Sequence, residues 1–222
     1  MQSDEFIFRP ATTGDIPFLV ETIIEAEKSG TEILPWSTIF GLSEDETRAC
    51  LSAMLAEEVD GCELSVSSFL VAETEGRVVA ALSAWIEGEN NEPSAQLKGN
   101  LLSYCLPGEA IRKAIAIHPI LSGINIEYNP GTIQKGAGYV AKEYRNMKLF
   151  GILTDEIVKR LRLKKPEVSE VCTQIYGCNT AAIRANEKAG FQIVMEKVSS
   201  NEEILRYLPS NKKLLMKKEL PV

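Results

Sequence analysis

The sequence predicts a mixed α/β fold, with antiparallel strand pairing early in the chain and a β-α-β crossover late. Three observations carry this. Two apolar runs, 68–74 and 77–86, meet at Glu75-Gly76, the mark of a tight hairpin. The clearest helical pattern, Asn146–Leu163, lies between two strand-like segments, 132–140 and 168–176. The full order reads strand, two helices, two strands, an irregular stretch, strand, helix, strand, helix and two strands.

Each element has a local reason. Phe6-Ile7-Phe8-Arg9 is a short strand closed by Pro10. Ile16, Leu19, Val20, Ile23 and Ile24 fall at helical spacing after Gly14-Asp15, with Pro17 in the tolerant first turn and Gly30 past the end. A second helix covers about 43–58, opened by a Ser43/Glu46 capping box and striped by Leu51, Met54 and Leu55. The intervening Ile33-Leu34-Pro35-Trp36 reads as an apolar loop. Residues 88–130 hold a loop, a short helix at 109–117 and an Asn129-Pro130-Gly131 turn, and are taken as an insertion. In the strand 132–140, Gly136 and Gly138 weaken the pattern. In the long helix Phe150, Leu153, Ile157 and Leu161 share a face, and Lys159, Arg160 and Arg162 load the end where the dipole favours cations. Asn179 caps a helix ended by Gly190, and 191–198 and 214–219 close the sheet.

With 222 residues, 45% hydrophobic and 25% charged, the chain suits one globular domain, 1–222, carrying the 88–130 insertion. No apolar run approaches the roughly 20 residues needed to span a bilayer, so no membrane partner is expected. Met1–Glu5 lacks a basic, apolar leader, which makes cytoplasm the expected compartment. Five cysteines without a CxxC pair, and the single His118, point to free thiols and no metal site. The net charge of −7 hides an asymmetry. Residues 1–110 hold 5 Lys/Arg against 20 Asp/Glu, while residues 111–222 are basic. Both halves can be solvated faces, or the basic half can meet an anionic ligand while the acidic half attracts a cation. A sequence pI near 5.0 argues against nucleic acid.

The segment richest in chemistry is Tyr139 to Leu153, a strand ending at Val140, a polar turn and a long helix. A helix start offers unpartnered backbone N–H groups and a positive dipole end, which suit a pyrophosphate. Arg145 and Lys148 add charge. Val140-x-x-x-x-Arg145 resembles the coenzyme A loop of GNAT acetyltransferases. Asn179-x-x-Ala182 followed by Gly190-Phe191 resembles that family's second acetyl-CoA motif, and Phe8-Arg9-Pro10-Ala11-Thr12-x-x-Asp15 with the 69–80 hairpin resembles its opening. The pieces stand in the family's order.

The resemblance implies a GNAT-like mixed, mostly antiparallel central sheet, with helices on both faces and a helical insertion between the third and fourth strands. It implies acetyl-CoA as acyl-donor cosubstrate and a small-molecule primary amine as acceptor; a homodimer stays open. Tyr139 and Val140 would flank the pantetheine arm. The backbone of Arg145, Asn146, Met147, Lys148, Leu149, Phe150 and Gly151 would hold the pyrophosphate, and Asn179, Ala182 and Asn186 would border the thiol end. Three departures stand out: Lys148 and Phe150 replace small residues, Asn186 replaces the tyrosine that protonates the thiolate, and 132–140 carries no carboxylate. The catalytic candidates are Glu127 or a water chain as base and Tyr176 or Tyr139 as proton donor. The departures also fit a catalytically degenerate acyl-CoA-binding or interaction protein of the same fold.

Overall fold

The computed structural model describes residues 5–221, so the Met1–Asp4 part of the N-terminal reading lies outside the described residues. Among the described residues seven strands form one sheet: β1 (Ile7–Pro10), β2 (Phe69–Thr74), β3 (Arg77–Ile86), β4 (Ile133–Val140), β5 (Glu170–Tyr176), β6 (Gln192–Val198) and β7 (Lys212–Glu219). Their order is β1-β2-β3-β4-β5-β7-β6, and only β4 and β5 run parallel. The helices are α1 (Ile16–Lys28), α2 (Pro35–Phe40), α3 (Glu44–Ala56), α4 (Ser94–Cys105), α5 (Gly108–Leu121), α6 (Leu149–Lys164) and α7 (Thr180–Lys188).

The opening Arg-x-x-Thr-x-x-Asp has a physical purpose. Arg9 donates to both oxygens of Asp15, at 2.7 and 2.9 Å, and to Glu73 on β2 at 2.8 Å. Asp15 also accepts the Thr12 amide at 2.7 Å. The cluster pins the entry of α1 to the edge pair β1/β2. The Ser43/Glu46 capping box at α3 is present as read.

Two apolar layers flank the sheet. On one face Leu19, Ile23, Leu51 and Leu55 from α1 and α3 pack on Phe69, Val71 and Ala81. On the other, Leu149, Leu153 and Ile157 of α6 pack on Leu70, Ala80, Leu82 and Ile175. Each such buried side chain contributes roughly 1.5–3 kcal/mol. Among the described residues no helix is long and apolar enough to cross a membrane.

The sequence reading needs three corrections. Ile33–Trp36 is not all loop: Pro35 starts α2, its fixed φ suiting a first helical turn, and Trp36 is buried. The insertion holds two helices, because Ser94–Cys105 folds as α4 despite a weak apolar stripe, with Leu101 buried against the α1/α3 layer. The long helix read from Asn146 starts at Leu149.

The glycines of β4 mark a bulge. Leu82 pairs with Gly138 and Ala84 with Lys135, so two residues of β4, Gly136 and Ala137, face only Ser83 of β3. A Cβ on Gly136 would stand 2.6 Å from the Ser83 hydroxyl and 2.9 Å from the Trp85 ring. The bulge resets the alternation, so Lys135, Gly138 and Val140 all point to the α6/α7 face, and Ala137 and Tyr139 to the α1 face.

Candidate active site

The parallel pairing of β4 with β5 covers only Ile133–Lys135 against Val171–Thr173. Beyond Lys135 the two strands separate, and a cavity of about 370 Å³ opens between them. It passes through the sheet. On the α6/α7 side it meets the backbone of Gly136–Gly138 and the side chains of Lys135, Phe150, Ala182 and Asn186; on the α1 side, Glu27, Trp36, Lys98, Tyr128, Tyr176 and Lys213.

The connection from β4 to α6 is more contorted than its sequence suggests. A 3-10 turn at Lys142–Tyr144 leads to Arg145, whose Nε donates to the Val140 carbonyl at 3.2 Å. Asn146 and Lys148 then take left-handed backbone angles, with φ of 69° and 63°. Two such residues cannot belong to a right-handed helix, so α6 starts at Leu149 and not at Asn146. Left-handed residues alternating with extended or right-handed ones turn successive amides to one side, and the first turn of α6 adds more unpartnered N–H groups. Arg145, Asn146, Met147 and Lys148 are exposed around this cradle, while Leu149 is buried, so its side chain serves the core and only its amide faces outward. Phe150 fills the space a Gly138 side chain would need, its ring 2.7 Å from that Cβ position. Gly151 follows it in the first turn of α6.

At the other end, Asn179 caps α7 by accepting the Ala182 amide at 3.0 Å. Asn186 is buried and bonded at both ends of its amide. Its Nδ2 donates to the Ala182 carbonyl at 2.9 Å, and its Oδ1 accepts from Lys135 Nζ. Lys135 is only 3% exposed, and its ammonium sits over the rings of Phe191 and Phe150, at 4.2 and 4.9 Å. Burial, with help from the Lys218 charge, lowers this ammonium to about 7. Sequence reading missed Lys135; a lone lysine in a strand that must be buried on both faces was the available signal.

The catalytic candidates separate. Tyr176 lines the cavity on the α1 side, and burial pushes its phenol well above the ordinary value. Glu127 is exposed on the turn before β4 and does not line the cavity. Tyr139 stands outside the cavity, against Phe18 at 6.0 Å and under the Arg145 guanidinium at 5.9 Å. In place of Glu127 the cavity holds two carboxylates that sequence reading passed over as helix and loop surface, Glu27 and Glu63. Burial raises the Glu27 carboxyl.

The fold as a whole superposes on a set of solved structures. An N-acetyltransferase from Staphylococcus aureus Mu50 superposes with a TM-score of 0.65 at 13% identity, over 96% of this chain and all of that one. The chain has the GNAT acetyltransferase fold. A Drosophila melanogaster polyamine N-acetyltransferase, which forms N-acetylagmatine, shares it with a TM-score of 0.58 at 16% identity, over 97% and 100% of the two chains. A ribosomal-protein-alanine N-acetyltransferase from Brucella melitensis gives 0.52 at 20% identity, over 96% and 99%. No protein-family model and no curated protein sequence matches the chain. The mixed, mostly antiparallel sheet with helices on both faces and a helical insertion between the third and fourth strands is the GNAT layout expected from the sequence.

Proposed function

We propose that this chain is an N-acetyltransferase that moves the acetyl group of acetyl-CoA to the primary amine of a small molecule by direct attack on the thioester. The observation that carries it is the cavity through the sheet, which reaches from Lys135, Phe150 and Asn186 on the α6/α7 side to the half-buried carboxylates Glu27 and Glu63 on the α1 side. A cosubstrate entering from the α6 side and an amine from the α1 side meet where β4 and β5 part.

Each half has a chemistry of its own. The amides of Arg145 to Gly151, with the Arg145 and Lys148 side chains, suit a pyrophosphate. The β4 edge from Gly136 through Tyr139 to Val140 has lost its β5 partner, so its backbone groups suit the amides of a pantetheine arm lying like an added strand. Asn179, Ala182 and Asn186 border the thiol end.

In transfer, the amine nitrogen forms a bond to the acetyl carbon as the carbon–sulfur bond breaks. Glu27, its carboxyl raised by burial, takes the proton that the ammonium sheds before attack, and the second N–H proton, lost as the amide forms, passes to solvent. The thiolate needs a proton in return. Asn186 cannot give one, but the ammonium it holds can, and Lys135 titrating at about 7 is matched to that task near neutral pH. Tyr176, held protonated, faces the acceptor and orients it. Five unbridged cysteines suit the reducing cytoplasm.

The degenerate reading rests on Asn186 standing in the tyrosine position, and Lys135 removes its main support. Titration of acetyl-CoA into the protein, followed by mass analysis of amines incubated with both, tests the proposal. Saturable binding and a product heavier by one acetyl group are expected. Binding without any acetylated amine favours the degenerate reading, and no binding at millimolar acetyl-CoA rejects both.

A further inference from the structure

The chamber on the α1 side contains more charge than transfer to a simple amine requires. Four ionisable side chains from four separate segments converge there: Glu27 of α1, Glu63 of the loop after α3, Lys98 of α4 and Lys213 of β7. Two of them satisfy each other. Lys98 donates to Glu63, and its ammonium also lies 5.7 Å from the centre of the Trp36 ring. The remaining two have no such partner. Among the described residues, Glu27 and Lys213 feel other charges only at a distance, and neither makes a hydrogen bond or ion pair. Lys213 instead sits over the Tyr176 ring at 5.2 Å.

Glu27 and Lys213 are each half-buried in the chamber, where water is partly excluded and a charge gains from an opposite partner. Burial already pushes the Glu27 carboxyl up and the Lys213 ammonium down, each toward its neutral form. A ligand supplying the opposite charge to each would restore both. A simple amine or a polyamine fits only half of this, because its cations would satisfy Glu27 and repel Lys213. The register also matters. Lys213 of β7 pairs with Tyr176 at the end of β5, so its ammonium stands on the acceptor face and not among the residues suited to the phosphates.

We propose that the acceptor is an amino-acid-like zwitterion, whose amine is received by Glu27 and whose carboxylate is received by Lys213, with Trp36 and Tyr176 enclosing the body between them. This rests on the acetyltransferase reading for what happens to the amine, but the recognition itself needs no acetyl-CoA. Lys213 is then a specificity residue. It selects for the anionic group and takes no part in proton transfer.

The test is calorimetric titration of the full chain, without acetyl-CoA, using matched probes: phenylalanine, leucine and methionine, the amine that each leaves on decarboxylation, and spermidine. At least one amino acid is expected to bind about tenfold or more tighter than its decarboxylated amine and than spermidine, the gap expected for one unpaired charge. Lys213→Met, which keeps the length of the side chain, should bring that pair within about twofold. Glu27→Gln should weaken the amino acid and its amine alike. The proposal is overturned if every decarboxylated amine or spermidine binds as well as the amino acids, or if Lys213→Met leaves the preference intact. Failure of acetyl-CoA to bind would instead reject the transfer reading, and the two results are read in separate titrations.

Discussion

Lys135 Nζ donates to Asn186 Oδ1 at the point where β4 and β5 part. The bond joins a buried ammonium to the α7 position where the resemblance placed a tyrosine, and it explains how an amide can stand there. On the proposed function, the amide positions a proton donor that β4 supplies.

Replacing that ammonium should separate chemistry from binding. Lys135→Met is expected to lower kcat by about a hundredfold, the usual weight of a positioned proton donor, with little change in the acetyl-CoA KM. The pH profile distinguishes this from loose packing. A donor must be protonated, so wild-type kcat should fall as pH rises through about 7, and the variant should lose that limb.

The same lysine sets a stability trend. Its folded pKa lies below its unfolded value of about 10.4, so the unfolded chain binds more protons between the two. The contribution to stability is therefore least below pH 7 and recovers as pH rises toward 10. Thermal melts should show Lys135→Met gaining on the wild type at pH 6 and losing that advantage by pH 9.

Gly138 and Phe150 share one space. Gly138→Ala would place its methyl 2.7 Å from the Phe150 ring and 2.8 Å from Leu82, and should cost about 1–3 kcal/mol in denaturant unfolding. Adding Phe150→Ala should recover part of that cost, so the double-mutant cycle should show a coupling of roughly 0.5 kcal/mol or more.

Arg9 tests the entry of α1. Arg9→Met removes the bidentate partner of Asp15 and the contact to Glu73, leaving a carboxylate only 8% exposed without its counter-charge. A loss of about 2 kcal/mol is expected, between the values for surface and buried pairs. The Arg9 guanidinium holds the Asp15 carboxyl below the ordinary range, so this stabilisation is present above about pH 4 and disappears as acid protonates Asp15. The variant and wild type should converge in stability at low pH.

The sequence made the strands and the helix caps legible, because both depend on local patterns. The Arg77–Ile86 strand lies as read, and Asn179 caps α7 where its side chain predicted. Helix α2 was hidden because Pro35-Trp36 resembles an apolar turn until its packing on α3 and α5 is known. The start of α6 was misplaced because nothing local reveals that Lys148, a residue with no preference for φ of 63°, is held there by the fold. The acceptor chamber was illegible for a different reason. Glu27, Glu63, Lys98 and Lys213 lie far apart in the sequence with no motif linking them, and only the fold brings them together.

The central claim is that acetyl transfer occurs where β4 and β5 separate. The most direct measurement is the rate of coenzyme A release from acetyl-CoA, with and without amine, for the wild type and Lys135→Met. The account predicts amine-dependent release by the wild type and a rate about a hundredfold lower for the variant at unchanged acetyl-CoA affinity. Release that is independent of amine, or equal in the two proteins, would contradict it.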